Sequence, residues 1–236
     1  MKTTMQNINS ILSSCSISSH QCRCFEKLSE AEAALIDKNS VKIRFSKGEI
    51  ISKQGSFVSQ IMYMEKGLAK VYIDNGKNTL VLKIIKEGNF IGLTTLSEDS
   101  TFLQYSASAY IDSDVRLIDI SVFRQVLSSN IEFAKEVIEI LGTNSAQMYG
   151  RFFCLTHKQS YGRLADILLC LSERIFKKEE FELPLSRKDL AELSGMSSET
   201  VIRMLKRFHA EGLIYMKGKE MKIVDFEKLR RISETG

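Results

Sequence analysis

The chain of 236 residues is long enough for one large or two small domains with hydrophobic cores of their own. Hydrophobic residues make up 44% and charged residues 26%, as in ordinary globular proteins, and no apolar run reaches the roughly 18 residues of a membrane span. The formal net charge of +4 is too small to indicate nucleic-acid binding by itself, although it leaves room for a local basic patch.

Residues 1–25 are polar, rich in serine and cysteine, and without periodicity, which predicts either a mobile arm or a segment that a ligand orders. The arm holds Cys15, Cys22 and Cys24 beside His20. The start of the chain lacks the apolar core of a secretory signal, so we expect a cytoplasmic protein with reduced thiols and no membrane partner. The arm has three alternative interpretations: a metal site formed by these four residues, a thiol redox sensor, or a tail without a sensory role.

Residues 26–130 are predicted to form a β-roll that follows a short helix. Ser29 followed by Glu32 is a capping box, which marks the start of that helix. Short β-type runs separated by recurrent glycines come next. Asn75-Gly76 predicts a hairpin with a type I′ turn, in which both central residues need a positive φ. Antiparallel strands of this kind close into a small barrel or roll.

Residues 131–157 carry apolar side chains at alternating steps of four and three, a heptad pattern that lasts for more than three repeats. The pattern predicts one long helix. A second apolar stripe lies beside the first, so the helix can face its own domain and a second copy of the chain. We therefore predict a homodimer whose interface contains Ile138, Leu141, Ser145, Met148, Phe152 and Leu155. The alternative is a helix that packs only on its own domain.

Residues 158–236 are predicted to form a second, smaller domain that contains a winged helix-turn-helix. Ser186 caps a short helix, Ala191 is small enough for a close helix crossing, and Gly195 supplies the positive φ of the turn. The apolar positions that bury the two helices against each other are Leu190, Met196, Val201 and Met204. The stretch GLIYMKGKEMKIVD at 212–225 then predicts the hairpin wing.

The second helix of this motif is predicted to read DNA in the major groove with its N-terminal half. Arg203 can bond guanine O6 and N7 in a bidentate manner, and Glu199 can accept a hydrogen bond from cytosine N4. Lys206 and Arg207 lie one turn further along, where phosphate contacts are expected. The residues predicted to contact DNA are Ser197, Ser198, Glu199, Thr200, Ile202, Arg203, Lys206, Arg207, Lys217 and Lys219.

Four stretches give the chain a family resemblance. They are GNFIGL at 88–93, AQMYGRFF at 146–153, GRLADILL at 162–169 and SSETVIRMLKRFHAEGLI at 197–214. Together with the order of the elements, they make the chain resemble the Crp/Fnr family of bacterial transcription regulators. The resemblance implies an α+β fold, with an N-terminal antiparallel β-roll like a cyclic-nucleotide-binding domain, a long dimerisation helix and a C-terminal winged helix-turn-helix. It also implies that Glu199 and Arg203 read a TGA-type half-site within a palindrome.

The cyclic-AMP receptors of this family bind the ribose with a Gly-Glu pair and the phosphate with an Arg-Ser pair. In this chain Leu93 and Tyr105 stand where the glutamate and the arginine would be. A phosphate charge left unpaired in a partly buried pocket is costly, so cyclic AMP is not expected as the ligand. A pocket for another effector is one interpretation, and plain core packing is the other. The candidate pocket residues are Gly92, Leu93, Tyr105, Ser106, Met148 and Tyr149.

Fnr-type members of the family carry an iron–sulfur cluster on three N-terminal cysteines and one cysteine of the roll. Cys15, Cys22 and Cys24 lie in the corresponding region, but their spacing is C-x6-C-x-C rather than C-x2-C-x5-C. The place of the fourth ligand falls near Ile118, which cannot bind iron. The cofactor is therefore left open, with an iron–sulfur cluster or another metal as one option.

The sequence thus predicts a homodimeric transcription regulator that binds double-stranded DNA, works with RNA polymerase and responds to an unidentified effector or redox signal. A thiol enzyme is not expected, because His20, His157 and His209 are spread over different elements and offer no partner for a cysteine. The alternative function is a ligand-binding or redox-sensing adaptor that does not read DNA directly.

Overall fold

The computed structural model describes residue 17, residues 22–97 and residues 99–236. The chain divides into two units, one spanning Ser19–Ser145 and the other including Ala146–Gly236. Within the described ranges, none of the helices combines the length and the apolar composition that crossing a bilayer would require.

The first unit is built on two four-stranded antiparallel sheets. Its strands are β1 (Ser40–Phe45), β2 (Ile50–Ser52), β3 (Gln60–Lys66), β4 (Leu68–Asp74), β5 (Thr79–Lys86), β6 (Asn89–Ile91), β7 (Ser106–Ala109) and β8 (Ser113–Asp119). The strands pair in the orders β1-β8-β3-β6 and β2-β7-β4-β5, so most neighbours in the sheets are distant in the chain. This arrangement is the predicted β-roll.

Three α-helices accompany the roll: α1 (Glu30–Lys38) precedes it, and α2 (Ile120–Ser129) and α3 (Ile131–His157) follow it. A short 3-10 turn at Cys24–Lys27 leads into α1. The predicted capping box is confirmed, because the Ser29 hydroxyl accepts from the Glu32 backbone N–H and the Glu32 carboxylate accepts from the Ser29 backbone N–H. The boundary between the two units falls inside α3 rather than at one of its ends.

The second unit contains the predicted helix-turn-helix and wing. Its elements are α4 (Ser160–Cys170), a π-helical turn (Leu171–Phe176), β9 (Glu180–Glu182), α5 (Arg187–Ser194), α6 (Ser198–Ala210), β10 (Ile214–Lys217), β11 (Glu220–Ile223) and α7 (Phe226–Thr235). The wing hairpin β10–β11 is confirmed. Strand β9, which the sequence pattern does not predict, adds a third strand in the order β10-β11-β9. The predicted α+β fold class is likewise confirmed.

The hairpin between β4 and β5 forms where it is predicted, but its turn is different. The connection covers residues 75–78, four residues instead of two. Gly76 has a φ of +82°, whereas Asn75 is not among the described residues with a positive φ. The side-chain oxygen of Asn75 accepts from the backbone N–H groups of Lys77 and Asn78 at 3.1 and 2.8 Å. The type I′ assignment is therefore wrong, because Asn75 stabilises the loop through its side chain and not through a left-handed backbone.

Two apolar clusters form the core of the first unit. One gathers side chains from both sheets, among them Met62, Met64, Val71, Ile85, Tyr105 and Ala107. The other joins the roll to the helices and includes Ile36, Phe90, Ile118, Phe123 and Phe133. Edge-to-face ring contacts link Phe90 to Phe123 at 5.5 Å and Phe123 to Phe133 at 5.3 Å. The first turns of α3 are thereby anchored to the roll.

Gly67, between β3 and β4, provides a stability test. Its φ is +122°, and an added Cβ would come within 2.7 Å of the Ser113 Cα. We expect Gly67→Ala to lower the free energy of unfolding by about 2–4 kcal/mol, because a side-chain rotation relieves neither the strain nor the overlap. Urea denaturation measures the change, and a loss below about 0.5 kcal/mol would contradict this interpretation.

The matched control is Gly142→Ala. Gly142 lies inside α3, and nothing comes within 4 Å of a Cβ added there. Alanine restricts the unfolded chain more than glycine does, so we expect this control to raise the free energy of unfolding by roughly 0.5–1 kcal/mol.

Candidate nucleic-acid interface

The two helices α5 and α6 form the predicted helix-turn-helix. The Ser186 hydroxyl accepts from the Asp189 backbone N–H at 3.1 Å and caps α5. Gly195 ends α5 with a φ of +61°, a left-handed conformation that glycine adopts without strain. Ala191 is buried, as the close crossing requires. The predicted core positions are buried at Leu190, Val201 and Met204, and half-buried at Met196.

Helix α6 has one buried and one exposed face. The buried face consists of Val201, Met204, Leu205 and Phe208. The Ser197 hydroxyl accepts from the Thr200 backbone N–H at 3.2 Å, which fixes where the helix begins. The start of the helix in turn decides which side chains of its first turns point outward.

The exposed face of α6 brings most of the predicted DNA-reading side chains together. Ser198 and Thr200 are half-buried in the first turn. The exposed members are Glu199, Ile202, Arg203, Lys206 and Arg207. Four of them follow the spacing of one helix face, and the set combines a carboxylate, an aliphatic group and three cations. Such a face can make both base and phosphate contacts.

The charged side chains on this face differ in whether another side chain of the protein already pairs with them. The backbone N–H of Glu199 and the Ser197 hydroxyl lower the pKa of Glu199, so its carboxylate is an ionised acceptor at neutral pH. Arg203 and Lys206 make no ion pair with any described residue. Arg207 is already engaged, because its Nε donates to Glu211 Oε1 at 2.7 Å and its guanidinium lies 4.8 Å from the centroid of the Tyr161 ring.

The wing offers less free positive charge than the sequence suggests. Lys217, the last residue of β10, and Lys219, in the turn that leads to β11, are both exposed. The Lys219 amine lies 3.8 Å from a carboxylate oxygen of Glu182 on β9. Three lysines and three glutamates line the groove beside this turn: Lys178, Lys217, Lys219, Glu180, Glu182 and Glu220. Strand β9 therefore supplies carboxylates to the surface on which phosphate contacts are predicted.

Sequence reasoning missed Arg151, which supports the turn of the motif from α3. Its side chain is 1% exposed, and its guanidinium donates to the Leu193 carbonyl in the last turn of α5. Carbonyls at the end of a helix have no partner within it, and a cation there suits the helix dipole. One turn along α3, a methyl carbon of Leu155 lies 3.2 Å from the position of a Cβ added to Gly195. The sequence signal for Arg151 is a lone charge within the apolar run YGRFFCL at 149–155.

A buried ion pair closes the junction between α3 and α4. The Lys158 amine lies 2.6 Å from Asp166 Oδ2, and the two side chains are only 6% and 4% exposed. The Cys154 thiol donates to the same oxygen at 3.5 Å. Burial raises the pKa of Asp166, and the Lys158 amine opposes that rise. Cys154 and Cys170 are both buried, as expected for core thiols.

The six side chains predicted for the dimer interface lie along α3 in different surroundings. Ile138 and Phe152 are 67% and 68% exposed, and Ser145 and Met148 are exposed too. Leu141 packs against the roll core, and Leu155 contacts the turn of the helix-turn-helix. Large apolar groups left exposed along one helix are typical of an interaction surface.

The residues predicted for an effector pocket are largely used in internal contacts. The Gly92 backbone N–H donates to the Tyr105 hydroxyl at 3.0 Å, and Leu93 is buried in the core. The Ser106 hydroxyl accepts from the Gln54 backbone N–H at 3.0 Å. The other two residues, Met148 and Tyr149, are exposed on the part of α3 that belongs to the second unit.

The described part of the cysteine arm does not provide the ligands of a four-cysteine iron–sulfur cluster. Cys22 and Cys24 are joined by a disulfide and are both buried, so the expectation of reduced thiols is wrong for this pair, which holds no thiolate for a metal. They share one apolar cluster with Ile118, which is fully buried where the family resemblance would place the fourth thiolate. The described residues thus do not fit that cluster, since an alkyl group replaces a required ligand. Cys15 and His20 lie outside the described residues, so the broader metal assignment stays a prediction.

The chain is similar in sequence to two known domain families and to several known regulators. A cyclic nucleotide-binding domain matches residues 42–130, and a Crp-like helix-turn-helix domain matches residues 162–232. The chain is 26% identical to electron transport regulator A of Shewanella oneidensis, over 97% of this chain and 95% of that protein. It is 28% identical to the cAMP-activated global transcriptional regulator CRP of Escherichia coli O6:H1, over 70% of this chain and 81% of that protein. FixK2 from Bradyrhizobium japonicum superposes with a TM-score of 0.75 at 20% identity, over 84% and 98% of the two chains.

Replacing Arg151 tests its support of the helix-turn-helix. In Arg151→Met the Leu193 carbonyl loses this donor, which for a buried group costs about 1–3 kcal/mol. We expect a lower free energy of unfolding and faster amide exchange in α5 and at the turn. Exposed Arg231, in α7 of the same unit, gives the matched control Arg231→Met, which should change stability by less than about 0.5 kcal/mol. Equal effects of the two substitutions would contradict the role given to Arg151.

Proposed function

The chain belongs to the Crp/Fnr family of transcription regulators, and we propose that it acts as a homodimer that recognises a palindromic DNA site through α6. The chain is a regulator and not an enzyme, since its matched relatives regulate transcription. The exposed face of α6 carries this proposal, because Glu199 and Arg203 stand one helical turn apart beside the capped start of the helix.

Within the major groove, Arg203 donates two hydrogen bonds to guanine O6 and N7, and Glu199 accepts one from cytosine N4. Ser198 and Ile202 flank this pair and meet the neighbouring bases, where the Ile202 side chain suits a thymine methyl group. Lys206 pairs with a phosphate one turn further along the helix. Thr200, Lys217 and Lys219 are assigned to contacts with the sugar–phosphate backbone of the DNA. Arg207 is paired with Glu211, so it reaches a phosphate only if it leaves Glu211 or bridges the carboxylate and the phosphate.

The homodimer is supported by the exposed apolar side chains of α3. Ile138 and Phe152 are fourteen positions apart, which is two heptads, so they lie on one seam of a coiled-coil-like pair. Burying them against a second copy removes exposed apolar surface that a monomer would leave in water. Two-fold symmetry then places two α6 helices on half-sites about one turn of DNA apart, roughly 34 Å.

We assign sensing to the roll, with an effector or redox signal that shifts the α3 pair and so the spacing of the α6 helices. Cyclic AMP is not the proposed signal, because Leu93 and Tyr105 replace the two charged groups that would hold it, and both are used in internal contacts. The DNA-bound dimer is expected to act on RNA polymerase in the bacterial cytoplasm.

Base reading is tested with Arg203→Ala on the palindrome selected by the wild-type protein from a randomised duplex pool. Each lost bidentate contact costs about 1–3 kcal/mol, so affinity should fall roughly 5- to 150-fold by fluorescence anisotropy. The guanine preference at the contacted position should also disappear. Lys77→Ala removes an exposed cation from the β4–β5 loop and serves as the control, with affinity unchanged. Full affinity of Arg203→Ala would instead favour an adaptor that does not read DNA.

The dimer interface is tested with Phe152→Glu. A buried unpaired carboxylate at the seam is costly, whereas in a monomer this side chain is exposed, so the fold should remain intact. Light scattering should report half the wild-type mass, and circular dichroism an unchanged helix content. Thr156→Glu, an exposed site outside the predicted seam on the same helix, is the control that stays dimeric. A wild-type monomer at micromolar concentration would contradict the proposal.

A further inference from the structure

Lys83 lies on the inner face of the roll. In the sheet β2-β7-β4-β5, Ala107 is opposite Val71, and Val71 is opposite Lys83. Residues directly opposite each other in neighbouring strands point to the same side of a sheet. Val71 and Ala107 are members of the roll core, with 1% and 0% exposure. The Lys83 side chain therefore leaves β5 on the side of the core and is half-buried there.

The position two residues further along supports this orientation. Ile85 is opposite Ala69, and both belong to the same apolar cluster. Side chains two apart in a strand share a face, so Lys83 and Ile85 project together. Val71 and Ala107, the two nearest residues in the cross-strand row of Lys83, offer only alkyl groups, which cannot accept a hydrogen bond from the amine. The buried Ser52 hydroxyl, which has no hydrogen-bond partner among the described residues, is the first acceptor further along the row, on β2.

No described residue supplies a counter-charge to the Lys83 amine. Among the described residues, no carboxylate, hydroxyl or carbonyl is paired with its amine. Burial lowers the pKa of Lys83 to about 8, with no charged neighbour contributing to the change. The amine is thus still mostly protonated at neutral pH, and this charge is held in the roll at a cost in free energy. An anion beside it would remove that cost.

At the position to which the family resemblance assigns phosphate binding, the described residues Tyr105 and Ser106 provide no cation. Tyr105 stands where an arginine would bind a phosphate, and its ring belongs to the core. Its hydroxyl accepts the Gly92 backbone N–H, so the donor at that turn is also taken. On the inner face of this sheet, Lys83 places a cation in the middle of β5.

We propose that the roll binds a small organic or inorganic anion whose carboxylate or phosphate group pairs with the Lys83 amine. The inference rests on the proposed function in taking the roll as the sensing unit. It specifies the class of effector as anionic, and it assigns the charge contact to a residue outside the six predicted for the pocket. Carboxylates and phosphates share the chemistry that Lys83 recognises, and the experiment separates them.

The test measures the pKa of Lys83 in the full-length protein with and without added anions. Lysines are ¹³C-dimethylated, and the Lys83 signal is assigned as the one missing from Lys83→Met. The probes are acetate, succinate, benzoate, inorganic phosphate and cyclic AMP, each matched for ionic strength with sodium chloride. A carboxylate or a phosphate probe that binds should raise the pKa of Lys83 above its anion-free value, because the neighbouring charge favours the ammonium form.

Binding of the same probe is then followed by calorimetry. Loss of a charge-assisted hydrogen bond should weaken it about 10- to 100-fold in Lys83→Met. Lys77→Met, in the exposed loop that precedes β5, should bind as the wild type does. The proposal is overturned if no probe moves the pKa of Lys83, or if Lys83→Met retains full affinity. DNA binding is assayed separately, so failure of α6 to bind DNA and failure of the anion site are distinct results.

Discussion

The buried bond from the Arg151 guanidinium to the Leu193 carbonyl joins the end of α3 to the helix-turn-helix. A hydrogen bond of this kind is directional, so it specifies an angle as well as a distance. The Lys158–Asp166 pair adds a second polar link within the same unit. Both links are buried, and in a low-dielectric interior a displaced partner is costly. The last turns of α3 are therefore held directly against the end of α5, the first helix of the helix-turn-helix.

Helix α3 serves different neighbours along its length. Near its start, Val137 and Ile140 pack into the core of the roll. Near its end, Arg151 and Leu155 hold the turn of the motif. Ile138 and Phe152, on the remaining face, are left mostly exposed by the described residues. The same heptad repeat thus contains residues that pack within the chain and residues proposed for the dimer interface. The periodicity alone therefore could not separate Leu141 and Leu155, which pack within the chain, from the exposed residues.

The parts of the molecule that were predictable are those decided by nearby residues. The start of α6 depends on Ser197, three residues from the amide that it caps, and the turn depends on the backbone freedom of Gly195. Strand β9 was missed because it is only three residues long and pairs with β11, which lies about forty positions further along the chain. The spacing of the strands indicates that a hairpin forms at Asn75. It does not indicate whether Asn75 adopts a left-handed backbone or accepts hydrogen bonds from the loop amides through its side chain.

The candidate site divides in the same way. The outward side chains of α6 follow from helical periodicity, so Glu199, Ile202 and Arg203 were placed on one face from the sequence alone. The engagement of Arg207 with Tyr161 joins residues 46 positions apart, and no local pattern reports it. A local sequence pattern also does not indicate the uncompensated charge of Lys83, because the neighbours of Lys83 depend on the register of three strands.

The near balance of lysines and glutamates around the wing turn has a consequence for how such a protein searches a chromosome. Attraction to arbitrary DNA grows with the number of phosphates that free cations neutralise. A wing whose positive charge is offset by β9 adds little to that attraction. Under the proposed function, less of the protein is then held on the vast excess of unrelated sequence, and the proposed base contacts of α6 govern occupancy of a true site.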